Sequence, residues 1–142
     1  MSNDLADVPI VVRHEGGMRF VATARSHEIV TDQMERSGGA DSGATPLELV
    51  GAALGSCIAL YVRQFCEVRQ LPYAGMKVEV RQQNEKNPSR IGKFIVRLVM
   101  PEELPDQYVS MLERVVQSCP VHNTLTAGAP VGIEIVIPVG AS

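Results

Sequence analysis

"TPLELVGAALGSCIALYVRQFCEV", residues 45–68, decides the fold. Thr45 suits a helix N-cap, Pro46 suits the first helical position, and Glu48 completes a capping box with Thr45. Val50, Leu54, Cys57, Ile58, Tyr61 and Phe65 recur at spacings of three and four. That spacing predicts one helical stripe running to about residue 68. Gly51, Ala52, Ala53, Gly55 and Ser56 place small residues on the other faces. Glycine inside a helix costs roughly 0.5–1 kcal/mol against alanine, so close approach of another backbone is the expected compensation. The stretch reads as a central helix buried nearly all round.

Before this helix the periodicity is that of strands. PIVVRHE (9–15) and MRFVATA (18–24) flank Gly16-Gly17 and read as a hairpin, and HEIVTD (27–32) reads as a third strand. ERSGGADSGATP (35–46) is a polar, glycine-rich loop. After the helix, GMKVEVRQQ (75–83) and FIVRLVM (94–100) alternate with period two around a turn-rich connection, a second hairpin. Tyr108, Leu112, Val115, Val116 and Cys119 mark a second helix over roughly 105–118. Pro120 interrupts it, a short helix is expected at 120–126 before Gly128, and VGIEIVIPV (131–139) reads as a last strand. The order β-β-β-α-β-β-α-α-β predicts an α+β fold with largely antiparallel sheet rather than a doubly wound parallel one. The 142 residues form one domain without repeat, linker or low-complexity tract.

Composition narrows the function. The chain is 45% hydrophobic and 20% charged, with formal charge −3 and no Lys/Arg block, which argues against nucleic acid or an anionic membrane as partner. No run of about 18 consecutive apolar residues predicts a membrane span. MSNDLADVP lacks the basic and apolar regions of a secretory signal, so a cytoplasmic setting is expected. Three cysteines do not suggest a secreted disulfide framework, and in a reducing compartment paired thiols are more often catalytic or redox-sensing than structural.

Cys57, on the apolar stripe, has an ordinary reading as a small buried hydrophobe. Cys119 differs because it precedes Pro120, the favoured first residue of a new helix. A thiol at a helix N-terminus feels the positive end of the dipole, which favours thiolate. Cys66 lies nine residues after Cys57, on the opposite side of the same helix, so these two cannot pair within it; it reads as filler. There is no CxxC. His14, His27 and His122 are far apart in sequence, although a zinc site from Cys57, Cys119 and His122, or a Cys57–His122 thiol hydrolase, is conceivable.

The pieces "TPLELVGAALGSC" (45–57) and "CPVHNTL" (119–125), with the two cysteines 62 positions apart, resemble the OsmC/Ohr family of thiol-dependent organic hydroperoxide reductases. The resemblance spans essentially the whole chain. GMRFVATARSHEIVTD and YVRQFCEVRQL look closer to a poorly characterised branch than to the best-known peroxidases. It implies an intertwined α+β homodimer with two long central helices and active sites at the subunit interface. Cys57 would match the peroxidatic cysteine and Cys119 the resolving one. The Cys57 thiolate would attack the O–O bond, become a sulfenic acid and condense with Cys119 to a disulfide. An external dithiol, in the family one on a lipoylated protein, would reset the pair by exchange. No cofactor or metal is implied.

The resemblance also implies an activating arginine from the N-terminal β region, held by a glutamate at the start of the central helix. Arg19 is the first candidate for the arginine, Arg25 the second, and Glu48 is the acid. Both arginines also read as solvated strand or turn residues. The family's peroxidases carry that glutamate directly after the proline, whereas here Leu47 fills the place. One residue turns a side chain by about 100°, and Glu48 already has a structural role in the capping box. This departure opens a second class of function, a hydrophobic-ligand-binding protein on the same fold with little or no peroxidase turnover.

Overall fold

A computed structural model describes residues 8–140. The fold is α+β. The chain forms strands β1 (Val11–Gly16), β2 (Arg19–Ala24) and β3 (His27–Thr31), a 3-10 turn at Glu35–Ser37, helix α1 (Pro46–Val68), strands β4 (Lys77–Glu85) and β5 (Arg90–Val99), and helices α2 (Asp106–Val116) and α3 (Pro120–Ala127). It divides into two compact units that share α1: residues up to Ser56 with Val78–Val99, and Cys57–Lys77 with the residues from Met100 onward.

In the first unit β1, β2 and β3 form an antiparallel meander, with Val12 opposite Ala22 and Ala22 opposite Ile29. The alternation places Val12, Phe20 and Ile29 on one face, and all three are exposed. A parallel bridge between Thr31 and Ala44 closes the glycine-rich loop. Asp32, buried at its root, accepts from the backbone N–H groups of Gln33, Ala40 and Ser42 and from the Ser42 hydroxyl. Helix α1 then starts with the expected capping box: Glu48 N–H donates to Thr45 Oγ1 at 3.3 Å, and Thr45 N–H donates to Glu48 Oε1 at 3.0 Å. Gly51 and Gly55 lie against β4, where the Gln82 amide and Val80 methyl occupy the space a Cβ would take. The close approach is therefore by side chains of a strand, not by another backbone.

The second hairpin is longer than the periodicity suggests. Its turn is confined to residues 86–89, and the Arg90 guanidinium closes it by donating to the carbonyls of Lys86 and Pro88. β5 therefore begins at Arg90 rather than at residue 94.

In the second unit, Ile58, Val62, Phe65 and Cys66 of α1 and Leu112 of α2 are buried. The Phe65 and Tyr108 rings meet edge-on, 6.4 Å between centroids, joining the two helices. Arg63 pairs with Glu67 at 2.8 Å, and the Tyr73 hydroxyl donates to the same carboxylate, tying the following loop to the last turns of α1.

Two expectations fail here. Residues 131–139 form no strand among the described residues, and their branched side chains are exposed, from 79% at Ile137 to 98% at Val139. A β-branched run needs a neighbouring edge for its ladder hydrogen bonds. Nor is α1 buried nearly all round: Leu47, Ala52, Ala53, Ser56 and Leu60 are exposed. By length and composition α1 could also cross a membrane. Its one-sided buried stripe is the pattern of a core helix.

Candidate functional site

Cys57 is half-buried on α1, at the edge of its buried stripe. Cys119 is fully buried in the bend between α2 and α3. The local sequence dictates the bend: Pro120 lacks an N–H, so it cannot continue α2 but fits the first position of α3. Cys119 becomes the N-cap of α3 in extended conformation, and its sulfur accepts the His122 N–H at 3.5 Å. A thiol thus fills the position where serine or aspartate usually satisfies an orphan amide.

The same turn reaches Cys57. Cys119 and the Val121 backbone N–H both act on the Cys57 thiol. Burial pushes the Cys57 thiol up from its ordinary value, Cys119 raises it further, and the Val121 amide opposes both. Among the described residues, the groups that shift Cys57 belong to its own unit. Cys57 of α1 and Cys119 at the start of α3 are therefore near enough to influence one another, and both are free thiols.

The other sequence candidates stand in other settings. Arg19, half-exposed on β2, gives its Nε to Glu15 Oε1 at 2.6 Å across the first hairpin. Arg25 occupies the tight β2–β3 turn in the left-handed region, φ 57°. Glu48 is engaged by both donors of Thr45, which hold its carboxyl below its ordinary value. The His122 ring meets Asn123 Oδ1 at 3.2 Å, and its backbone amide donates to the Cys119 sulfur. Among the described residues no group of three His, Cys, Asp or Glu could hold a metal, so the Cys57–Cys119–His122 zinc site does not form. Cys66 is fully buried; burial raises its thiol, and Arg69, stacked 3.8 Å from the Phe65 ring centroid, opposes that. The amides of Val121 and His122 are the participants that side-chain reasoning misses. The Cys-Pro step at a helix start is the signal that points to them.

The profile of the OsmC-like protein family matches residues 38–134, from the glycine-rich loop through α3 into the C-terminal segment. The chain belongs to the OsmC-like family. Solved structures agree in fold. A Psychrobacter arcticus protein named for osmotic-stress induction and detoxification response is similar over 81% of this chain and 85% of its own, with TM-score 0.76 and 22% identity. A Legionella pneumophila organic hydroperoxide resistance protein OsmC is 15% identical, with TM-score 0.59 over 84% and 90% of the two chains. A Vibrio cholerae organic hydroperoxide resistance protein, with captopril in one of its active sites, is 15% identical, with TM-score 0.58 over 89% and 90%. No curated protein matches the chain.

The first unit of this OsmC-like chain also contains two adjoining hollows of about 400 and 440 Å³, which share Glu48, Val80 and Gln82 in their walls. The larger runs past Gln33, Met34, Leu47 and Asn84, mixing an apolar floor with amides.

Proposed function

We propose that this protein is a thiol-dependent organic hydroperoxide reductase, in which Cys57 attacks the peroxide and Cys119 resolves it. One observation carries the reading: two free thiols, one of them the N-cap of α3, near enough to influence one another. Their nearness lets a sulfenic acid on Cys57 condense with Cys119 without a long search, and a helix start favours sulfur as thiolate. An external dithiol, such as that of a lipoylated protein, then exchanges with the disulfide, which suits a reducing cytoplasmic setting. The working unit is a homodimer. The exposed 131–139 segment, the open face of α1 and the apolar face of the first sheet are what a second copy would cover.

The test is peroxide consumption with cumene hydroperoxide and dihydrolipoamide. Wild type turns over, Cys57→Ser is inactive, and Cys119→Ser consumes at most one equivalent. Turnover that survives Cys57→Ser defeats the proposal.

A second reading is favoured by Arg19 and Glu48, each of which already has a partner within the first unit. On that reading the hollows beside Glu48 hold a ligand of mixed polarity and the thiols turn over slowly. Glu48→Leu would then change ligand affinity and leave Cys57 oxidation untouched.

A further inference from the structure

Helix α3 has little of its own to hold it. It is eight residues long, buries none of its side chains and carries no acidic residue in its first turn to meet the dipole. A helix that short is unstable without packing or caps. Its threonines add no anchor, because the Thr124 and Thr126 hydroxyls turn back to the carbonyls of Pro120 and His122. What fixes its start is Cys119. That residue is fully buried, its carbonyl accepts the Asn123 N–H at 3.0 Å, and its sulfur accepts the His122 N–H at 3.5 Å. The side-chain cap of α3 is therefore a sulfur. Sulfur is a weak acceptor, so a modest movement ends the bond.

We propose that Cys119 is a redox-sensitive helix cap. Reduced, its sulfur holds the first turn of α3. Joined to Cys57, that sulfur gives up its place over the turn, the His122 amide loses its acceptor, and the start of α3 loosens. The inference rests on the peroxidase reading for the disulfide. The step balances: two thiols and one hydroperoxide give a disulfide, an alcohol and water, so the sulfurs lose two electrons and the peroxide gains them. The loosening serves the next step. A fully buried sulfur is shut off from an external dithiol, and thiol–disulfide exchange depends on access. Release of the cap opens the bend when a disulfide is there to be reduced. The dithiol then returns two electrons and two protons, is itself oxidised to a disulfide, and the cap reforms.

The experiment reads amide hydrogen exchange across residues 121–125 in four samples: reduced wild type, wild type oxidised with diamide, reduced Cys119→Ser and reduced Cys119→Ala. Mass spectrometry maps the bond that diamide forms. Serine keeps an N-cap acceptor for the His122 amide, whereas alanine removes it. Oxidised wild type and Cys119→Ala should exchange about five- to tenfold faster than reduced wild type across this stretch. Cys119→Ser should stay within about twofold of reduced wild type. The buried turns of α1 around Ile58 and Val62 should keep their protection in all four samples. Unchanged exchange in Cys119→Ala shows that the sulfur is no cap, and equal acceleration in α1 shows general loosening. Either result overturns the inference. A Cys57–Cys119 bond with α3 still protected overturns the switch alone and leaves the peroxidase reading standing. Failure of diamide to join the two cysteines removes the switch and the peroxidase reading together.

Discussion

Asp32 is only 2% exposed, and four donors satisfy its carboxylate: three backbone amides and the Ser42 hydroxyl. The Ser42 hydroxyl contributes most to holding its pKa down, at about 2 against an ordinary 3.8. The stabilisation this implies is complete above pH 3.8 and is lost as pH falls through 2. Thermal unfolding of wild type should therefore shift down on acidification below pH 4, and Asp32→Asn should remove that sensitivity. Asp32→Asn also points an amide N–H2 at other donors. Its Tm near pH 7 should fall by about 5 °C or more. Glu48 calls for a different substitution. Glu48→Gln preserves the acceptor of the capping box, so it should leave Tm nearly unchanged. If Cys57 oxidation by cumene hydroperoxide is also unchanged, Glu48 is a cap alone; a tenfold or greater loss at constant Tm gives it a part in the chemistry. The capping role was legible in Thr45-Pro46-Leu47-Glu48, because a cap depends on four consecutive residues. The role of Asp32 was not, because its donors lie up to ten residues away in a loop without periodicity.

At the scale of elements, α1 is set by local chemistry and trimmed by packing. Gly51 and Gly55 face Gln82 and Val80 on β4. At Gly51 the obstacle is the end of a flexible amide, which would have to release its bond to the Leu47 carbonyl. Alanine gains about 1 kcal/mol of helix propensity and loses about 1 kcal/mol of hydrogen bond, so Gly51→Ala should leave Tm within a few degrees of wild type. Gly55 meets a β-branched methyl that cannot swing aside. Gly55→Leu should push β4 off the helix and lower Tm by about 5 °C or more; an unchanged Tm would show that the glycine is not needed for packing. The helices and the first hairpin were legible because their signals are periods and punctuation within about ten residues. Val62, which the sequence stripe omits, is fully buried, since one stripe of spacings cannot say how wide the covered face is. The 131–139 segment shows the opposite limit. Its composition has the preference of a strand, but a strand exists only beside an edge to pair with, and no edge is written in its own residues.

At the scale of the molecule, the exposed surfaces make a claim about assembly. Ile133, Ile135 and Ile137 are each about four-fifths exposed, as are Val131 and Val136. Burying them in a second copy would be worth several kcal/mol per chain on ordinary transfer values. Wild type should sediment as a dimer at micromolar concentration, and Ile133→Lys with Ile135→Lys should sediment as a monomer. A wild-type monomer would contradict the dimer reading without touching the thiol site. Sequence made the family legible, because it is carried by short contiguous stretches. It did not show which backbone amides serve the sulfurs, because that depends on how α1 and the start of α3 meet in space. The most direct measurement of the central claim is the thiol count of reduced protein after one equivalent of cumene hydroperoxide, with the product mapped by mass spectrometry. The account predicts rapid loss of two thiols as a Cys57–Cys119 disulfide, with Cys66 still free. Oxidation no faster than that of free cysteine, or a disulfide that includes Cys66, would contradict it.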